Sequence, residues 1–105
     1  MRLAGFLVAP AEVEDFLQHH QAVDTAQVVA VPTATGDRAV AFVTVKPRAA
    51  FDEAALLAHA RAGIAAYKVP VRIVELERMP TTTGPNGVKI QRAKLRAMAA
   101  ALLAG

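Results

Sequence analysis

The sequence predicts an α+β fold: a small, mostly antiparallel sheet of three strands with flanking helices. Short runs rich in Val and Ala, bounded by proline or turn residues, are typical of strands, and they alternate with longer segments whose apolar residues recur at helical spacing. The chain has 105 residues, of which 54% are hydrophobic. This is the size of one small domain with a single core. Because the chain holds no internal repeat and no long linker, we expect residues 1–105 to form one domain.

The first elements expected are a short extended segment and a helix. Residues 3–9 are interrupted by Gly5, and a glycine inside an extended segment often marks a bulge or a close backbone approach. Pro10 suits the first turn of a helix. The acidic residues expected in that turn, where the helix dipole favours negative charge, are Glu12, Glu14 and Asp15. One apolar-leaning stripe of this helix is expected to comprise Val13, Phe16, Leu17 and His20. His19 and His20 are expected at the end of the helix.

Three runs rich in β-branched residues predict the strands of the sheet. Ala26–Val31 predicts a buried strand that Pro32 ends. Ala39–Val45 predicts its antiparallel partner, joined to it by a longer loop at residues 33–38. Val71–Leu76 predicts the third strand.

Two further helices and one loop complete the predicted fold. Asp52 is the expected N-cap of a helix that ends near Ala65. The segment Pro80–Val88 is rich in Thr, Gly, Pro and Asn, and it predicts an irregular exposed loop. The last helix is expected to begin at Lys89 or Ile90. Its predicted core stripe is Leu95, Met98, Ala99 and Leu102.

Composition narrows the possible functions. The absence of cysteine excludes a disulfide framework and a thiolate metal site, and it fits a cytoplasmic protein. No apolar run reaches the ~18 residues of a transmembrane segment. We do not expect residues 1–9 to be a signal peptide, because their short apolar run is not followed by a cleavage site. The segment Tyr67–Gly105 holds seven basic and two acidic residues, which indicates a polyanionic partner. We expect no nucleic acid, because the few aromatics occupy core-like positions: Phe6, Phe16, Phe42, Phe51 and Tyr67.

Few residues offer chemistry of their own. No His or acid is placed to activate a threonine, and His19 and His20 are adjacent on a helix, so no metal site is expected. Gly84 stands five residues before Lys89 and an isoleucine follows the lysine, which is not the spacing of a phosphate-binding P-loop. Lys89 can still act as a point charge that bridges a carboxylate and a phosphate while a bond forms between them.

Three segments together carry a resemblance to a known family. Gly5–Glu14 is similar to the motif Gly-x-x-[Val/Ile]-x-Pro-x-Glu-[Val/Ile]-Glu, Tyr67–Pro70 to Tyr-Lys-[Val/Ile]-Pro, and Pro80–Gln91 to Pro-x-Thr-x-x-Gly-Lys-[Ile/Val]. In this order they resemble the small C-terminal domain of acyl-adenylate-forming enzymes, which include acyl-CoA synthetases, adenylation domains of peptide synthetases and luciferases. The chain departs from the motifs where Val88 separates glycine from lysine and where Ala4 replaces the first of two glycines.

The resemblance implies a mobile lid of an ATP-dependent acyl-CoA synthetase. Such enzymes join a carboxylic acid, here a fatty or aryl acid, to AMP and then transfer the acyl group to coenzyme A. Lys89 would be the catalytic residue of the first step. After rotation of the lid, Gly5 would line the thiol tunnel, with Lys68 and Arg72 as candidate ligands of coenzyme A phosphates. Mg²⁺ would accompany ATP, bound mainly by another domain.

That other domain is the large N-terminal one, which the resemblance places before Met1 and just before a hinge. We therefore expect an excised lid domain that is inactive alone. The alternative is a stand-alone α+β binding or regulatory module whose basic C-terminal end holds an acidic partner. Neither the acid nor the choice between coenzyme A and a carrier protein follows from these residues.

Overall fold

The computed structural model describes residues 1–104 and confirms the α+β class. Its helices are α1 (Pro10–Gln18), α2 (Glu53–Gly63) and α3 (Arg92–Ala104), with one 3₁₀ turn at Ala66–Lys68. Its strands are β1 (Arg2–Leu3), β2 (Phe6–Leu7), β3 (Val23–Thr33), β4 (Gly36–Val45), β5 (Arg72–Glu75), β6 (Thr81–Gly84) and β7 (Gly87–Ile90). The three predicted long strands and three predicted helices are therefore all present.

The central sheet has the strand order β3-β4-β5 and is mixed. Strands β3 and β4 are antiparallel, as predicted, whereas β5 runs parallel to β4 with Ala41 opposite Ile73. The parallel pairing follows from connectivity, because the chain crosses from β4 to β5 through α2, and parallel neighbours need such a crossover. The other pairings among the described residues, β1 with β2 and β6 with β7, are antiparallel hairpins.

The prediction that Pro32 ends its strand is wrong, because β3 continues through it to Thr33. The outward-facing N–H of Val28 donates to the Glu14 carboxylate, so the alternation of the strand also places the Pro32 nitrogen on the outer edge. Proline is tolerated on an edge strand because no ladder bond is lost there. The hairpin loop is correspondingly short: Thr33 pairs with Gly36, which leaves only Ala34 and Thr35 in the turn.

The core lies on both faces of the sheet. On one face α1 and α2 contribute Val13, Leu17 and Leu56, which pack against Val28, Ala41, Val43 and Ile73. On the other face α3 contributes Leu95 and Ala99, which pack against Val29, Val40 and Phe42. Alternate residues of β3 and β4 serve opposite faces, so both strands read as nearly continuous apolar runs.

Two predicted core positions are wrong. Leu102 is 38% exposed, whereas its neighbour Leu103 packs against the buried cluster of α3. Phe6 was expected at a core-like position but is 57% exposed. Leu102 lies near the end of α3 and Phe6 on the short strand β2. At both ends of the chain, the exact course of the last turn or strand determines which side chain is buried.

The segment predicted as an irregular loop is a second hairpin, which we call the Lys89 hairpin (residues 81–90). Thr82 pairs with Lys89 and Gly84 with Gly87, so Pro85 and Asn86 form a two-residue turn. Its β-branched threonines favour strand geometry, while Gly87 adopts a φ of +105° that suits glycine. The predicted exposure is confirmed, since every residue from 81 to 90 is exposed. The last helix begins at Arg92, so Lys89 lies on a strand.

Asp52 is the N-cap predicted for α2, and the next residue ties that helix to the sheet. The Asp52 side chain accepts from Ala55 N at 3.1 Å. Glu53 accepts from Arg72 Nε at 2.7 Å and from Ile73 N at 2.9 Å. The hydrogen bond from Arg72 holds the pKa of the Glu53 carboxyl below its ordinary value, against a smaller opposing effect of burial.

We predict that Glu53→Gln destabilises the chain at pH 7 by about 1 kcal/mol. This is less than the roughly 1.5–3 kcal/mol of a hydrogen bond to a charged group, because both side chains of the pair are partly exposed. A carboxyl with a lowered pKa contributes stability above its ordinary pKa and loses it as pH falls through the folded-state value. Urea unfolding of both proteins at pH 7 and pH 3 should show the difference shrinking on acidification. An unchanged difference at pH 3 would mean that packing, rather than the charge on Glu53, is responsible.

Candidate functional site

The first candidate residue, Gly5, lies in a tight exposed turn. Arg2 pairs with Leu7 and Leu3 with Phe6, which leaves Ala4 and Gly5 as the two turn residues. Both have positive φ, +51° for Ala4 and +84° for Gly5. Two consecutive positive φ angles are the requirement of a type I′ hairpin. Nothing lies within 4 Å of where a Gly5 Cβ would stand, so this backbone faces open space. We call residues 2–7 the Gly5 turn.

The second sequence motif folds against the Gly5 turn. The Phe6 and Tyr67 rings stack with centroids 4.6 Å apart. A surface groove of about 380 Å³ runs beside them and is lined in part by Ala4, Arg38, Tyr67 and Val71. Val71 in its lining and Phe6 on the Tyr67 ring are both exposed, and so is Leu7, the next residue of β2, at 77%. Segments about sixty residues apart in the sequence thus form one apolar face with a glycine turn at its edge.

The other candidate cations of this face, Lys68 and Arg72, are already paired. Lys68 Nζ donates to Glu12 Oε1 at 2.7 Å, and this hydrogen bond raises the pKa of the Lys68 ammonium. Arg72 is held by Glu53, whose hydrogen bond raises the pKa of the guanidinium. Both side chains keep partial exposure, 22% for Lys68 and 42% for Arg72. A phosphate ligand would therefore have to share or displace a carboxylate at either position.

Lys89 lies in different surroundings. It stands on β7, opposite Thr82 and three positions after Asn86, the last residue of the tight turn, and its side chain is exposed. It forms no salt bridge within residues 1–104. Its strand neighbours Val88 and Ile90 are also exposed, at 68% and 36%. Because successive side chains of a strand point to opposite faces, the Lys89 hairpin presents a free ammonium group on one face and the exposed side chains of Val88 and Ile90 on the other.

Sequence reasoning missed the residue at the base of this hairpin, Arg92. Its guanidinium donates to Gln27 Oε1 at 2.6 Å, to the Val28 carbonyl at 2.6 Å and to Glu14 Oε2 at 3.2 Å. Glu14 in turn accepts from Val28 N at 2.8 Å. The available signal was a basic residue at the start of a helix, where the dipole disfavours it.

The two glutamates of the first motif have different partners. Glu12, in the first turn of α1, holds Lys68 beside the Gly5 turn. Glu14 lies beyond that turn, contrary to expectation, and holds Arg92 below the Lys89 hairpin. Residues two apart on an α-helix differ by about 200° around its axis. The two candidate sites therefore lie on different sides of α1, each tied to it by one carboxylate.

Two kinds of feature are absent from residues 1–104. They contain no group of three or more His, Cys, Asp and Glu side chains arranged to hold a metal ion. They also contain no helix long and apolar enough to cross a membrane.

This chain is similar to known proteins in both sequence and fold. Residues 12–84 match the family described as the AMP-binding enzyme C-terminal domain. A long-chain-fatty-acid–CoA ligase of Salmonella typhimurium is 34% identical over 94 residues, which cover 90% of this chain and 16% of that enzyme.

Solved structures agree. The anthranilate CoA ligase AuaEII, in complex with anthranoyl-AMP, superimposes with a TM-score of 0.82 and 33% identity, covering 100% of this chain and 20% of AuaEII. ATP-bound MatB from Rhodopseudomonas palustris gives a TM-score of 0.83 and 27% identity over 95% of this chain and 20% of MatB.

The chain thus spans a fifth or less of the length of these relatives. Since the family match nevertheless covers residues 12–84, well over half of the chain, and the fold agrees closely, the chain belongs to the AMP-binding enzyme C-terminal domain family.

Proposed function

We propose that this chain is the C-terminal lid of an ATP-dependent acyl-CoA synthetase, and that it works against a large N-terminal domain. In the first step an acid carboxylate attacks the α-phosphate of ATP, forming acyl-AMP and releasing pyrophosphate. In the second step the thiol of coenzyme A attacks the acyl carbon and releases AMP. The acid would be a fatty or aryl acid, because the similar enzymes are named for both kinds.

The observation that carries this proposal is the exposed Lys89 on a hairpin that nothing in the domain covers. During adenylation negative charge is shared between the carboxylate and the α-phosphate oxygens. An ammonium group placed between them stabilises that charge most at the transition state. A lysine already paired with a carboxylate would lose this advantage, and Lys89 has no such partner within residues 1–104.

The Gly5 turn supports the second step. A thiol on a narrow pantetheine arm needs a path with no side chain in it, and the space beside Gly5 is open. The exposed apolar side chains of Phe6, Leu7 and Val71 suit contact with a second protein surface, which we assign to the large domain.

Lys68 and Arg72 remain proposed ligands of coenzyme A phosphates. Each would exchange its glutamate for phosphate oxygens, and Arg72, as a guanidinium, suits bidentate contact. ATP would bind mostly to the large domain, together with its Mg²⁺, since residues 1–104 supply no cluster of metal ligands.

In the enzyme formed by this chain and its large domain, we predict that Lys89→Ala slows adenylation by about 10²–10³-fold, the usual effect of removing one preorganised donor. Thioester formation from supplied acyl-AMP should be spared, because Lys89 would then face away from the pocket. Pyrophosphate release measures the first step and coenzyme A consumption the second. An equal loss in both steps would contradict the assignment of Lys89.

Gly5→Leu should have the opposite effect: it should block the thiol while leaving adenylation nearly intact. At the observed φ of +84° a leucine is also strained, at a cost on the order of 1–2 kcal/mol. Gly5→Asn is the matched control, because asparagine enters this backbone region more readily and adds a smaller side chain. The same two assays apply, with thermal unfolding to register strain. If the loss followed unfolding temperature rather than side-chain size, the tunnel assignment would be wrong.

The isolated chain is predicted to fold but to show no ligase activity and no tight ATP site. Its grooves are shallow surface features, whereas nucleotide sites are concave and enclose most of the ligand. Calorimetric titration with ATP should give a Kd no tighter than roughly millimolar, about −4 kcal/mol. Micromolar binding would favour the alternative, an autonomous binding module.

A further inference from the structure

Arg92 donates more side-chain hydrogen bonds than any other cationic residue among those described. Its guanidinium contacts three acceptors on two elements: Glu14 on α1, and the Gln27 side chain and Val28 carbonyl on β3. The Val28 N–H completes the arrangement by donating to the same Glu14 oxygen at 2.8 Å. The backbone N–H and C=O of Val28, which point away from β4, are therefore both hydrogen-bonded to side chains. The cluster joins α1, β3 and α3 at one point.

The helix dipole of α3 disfavours a positive charge at the position of Arg92. It is the first residue of α3, and the first turn of that helix contains no acidic residue. A cation at a helix N-terminus opposes the helix dipole. Departures from local rules are expected where function requires them, and here the contact with Glu14 offsets the unfavourable position.

Arg92 also stands at the base of the Lys89 hairpin. Two residues separate it from Lys89, and the last bond of the hairpin, from Gln91 N to the Pro80 carbonyl at 2.9 Å, lies next to it. The incoming strand is fixed by Met79, which is buried in the α3 side of the core. Because every residue of the hairpin is exposed, its direction depends on the anchors at its base.

We infer that Arg92 is a positioning residue for Lys89. Met79 fixes one strand of the hairpin by burial, and Arg92 fixes the other by hydrogen bonds, so two anchors define the direction in which the lysine points. This inference rests on the proposed role of Lys89. It assigns Arg92 no contact with substrate.

A double-mutant cycle in the enzyme with its large domain tests the inference. Arg92→Ala should lower kcat for adenylation by about 10–10²-fold, since displacement of a reacting group by an ångström has this scale of effect. Thioester formation from supplied acyl-AMP should change less than about threefold. In the Lys89→Ala background, Arg92→Ala should add almost nothing, because residues that act as a unit are not additive.

Two matched variants separate positioning from general stability. Arg96→Ala removes the same charge from an exposed position on the same helix and should leave adenylation unchanged. Arg92→Lys keeps the charge but loses the planar fork, so it should restore adenylation only in part. In the chain alone, amide exchange of residues 81–90 should accelerate in Arg92→Ala while the amides of β4 stay protected.

The outcomes are distinct. If Lys89→Ala left adenylation intact, the proposed function itself would fail. If Lys89→Ala abolished adenylation but Arg92→Ala caused a further, additive loss, or slowed both steps alike, Arg92 would be a stabilising residue only, and the positioning role would be overturned. Unchanged exchange of the hairpin amides in Arg92→Ala would overturn it as well.

Discussion

The fold depends on how one short helix, α1, is held. Its inner residues Val13 and Leu17 are fully buried against the sheet, while Glu12 and Glu14 leave it in different directions to hold Lys68 and Arg92. Burial of two large aliphatic side chains contributes about 1.5–3 kcal/mol each, so the glutamates project from a firmly fixed base. The Glu-Val-Glu pattern therefore has a structural role. Its valine is buried against the sheet, and its two glutamates form salt bridges on different sides of the domain.

The same helix solves the problem of an exposed sheet edge. β3 is an edge strand, and such edges offer unpaired backbone groups to other chains. Here Gln18 accepts from Ala26 N at 3.0 Å and Glu14 from Val28 N at 2.8 Å. Pro32 has no N–H to offer at the far end of the strand. The edge is thus closed by side chains, which leaves the sheet as a rigid platform for two hairpins that are not part of it.

The sequence predicts local structure correctly where a single residue determines it, as at the start of a helix. Pro10 begins α1 and the Asp52 side chain caps α2, both as predicted. The interpretation was wrong where the decision is tertiary: Pro32 is tolerated only because β3 is at an edge, and the run from Thr81 to Ile90 forms strands only because each half pairs with the other. Similarly, the parallel direction of β5 is set by the α2 crossover and not by its own residues.

The charge pattern of the sequence did not show which of its cations pair within the fold. The excess of basic residues after Tyr67 indicated a surface for a polyanion, yet three of those cations are paired in the fold. Lys68, Arg72 and Arg92 pair with the carboxylates of Glu12, Glu53 and Glu14, which all precede Tyr67 in the chain. A charge imbalance along a sequence is therefore no measure of a charged surface. It reflects here how the segment after Tyr67 is attached to the residues before it.

The separation of the two candidate sites bears on how such a lid would work. The Gly5 turn and the Lys89 hairpin share no strand, and each is tied to α1 through its own glutamate. A domain built this way can present either site to one pocket by turning as a rigid body, without rearranging its core, because interiors at close-packed density do not deform continuously. In the proposed function, the change from adenylation to thioester formation moves this domain as a whole relative to the large domain. Its internal structure stays the same. The accuracy of each pose then depends on the stiffness of the two short hairpins at their bases, which is where the salt bridges of α1 lie.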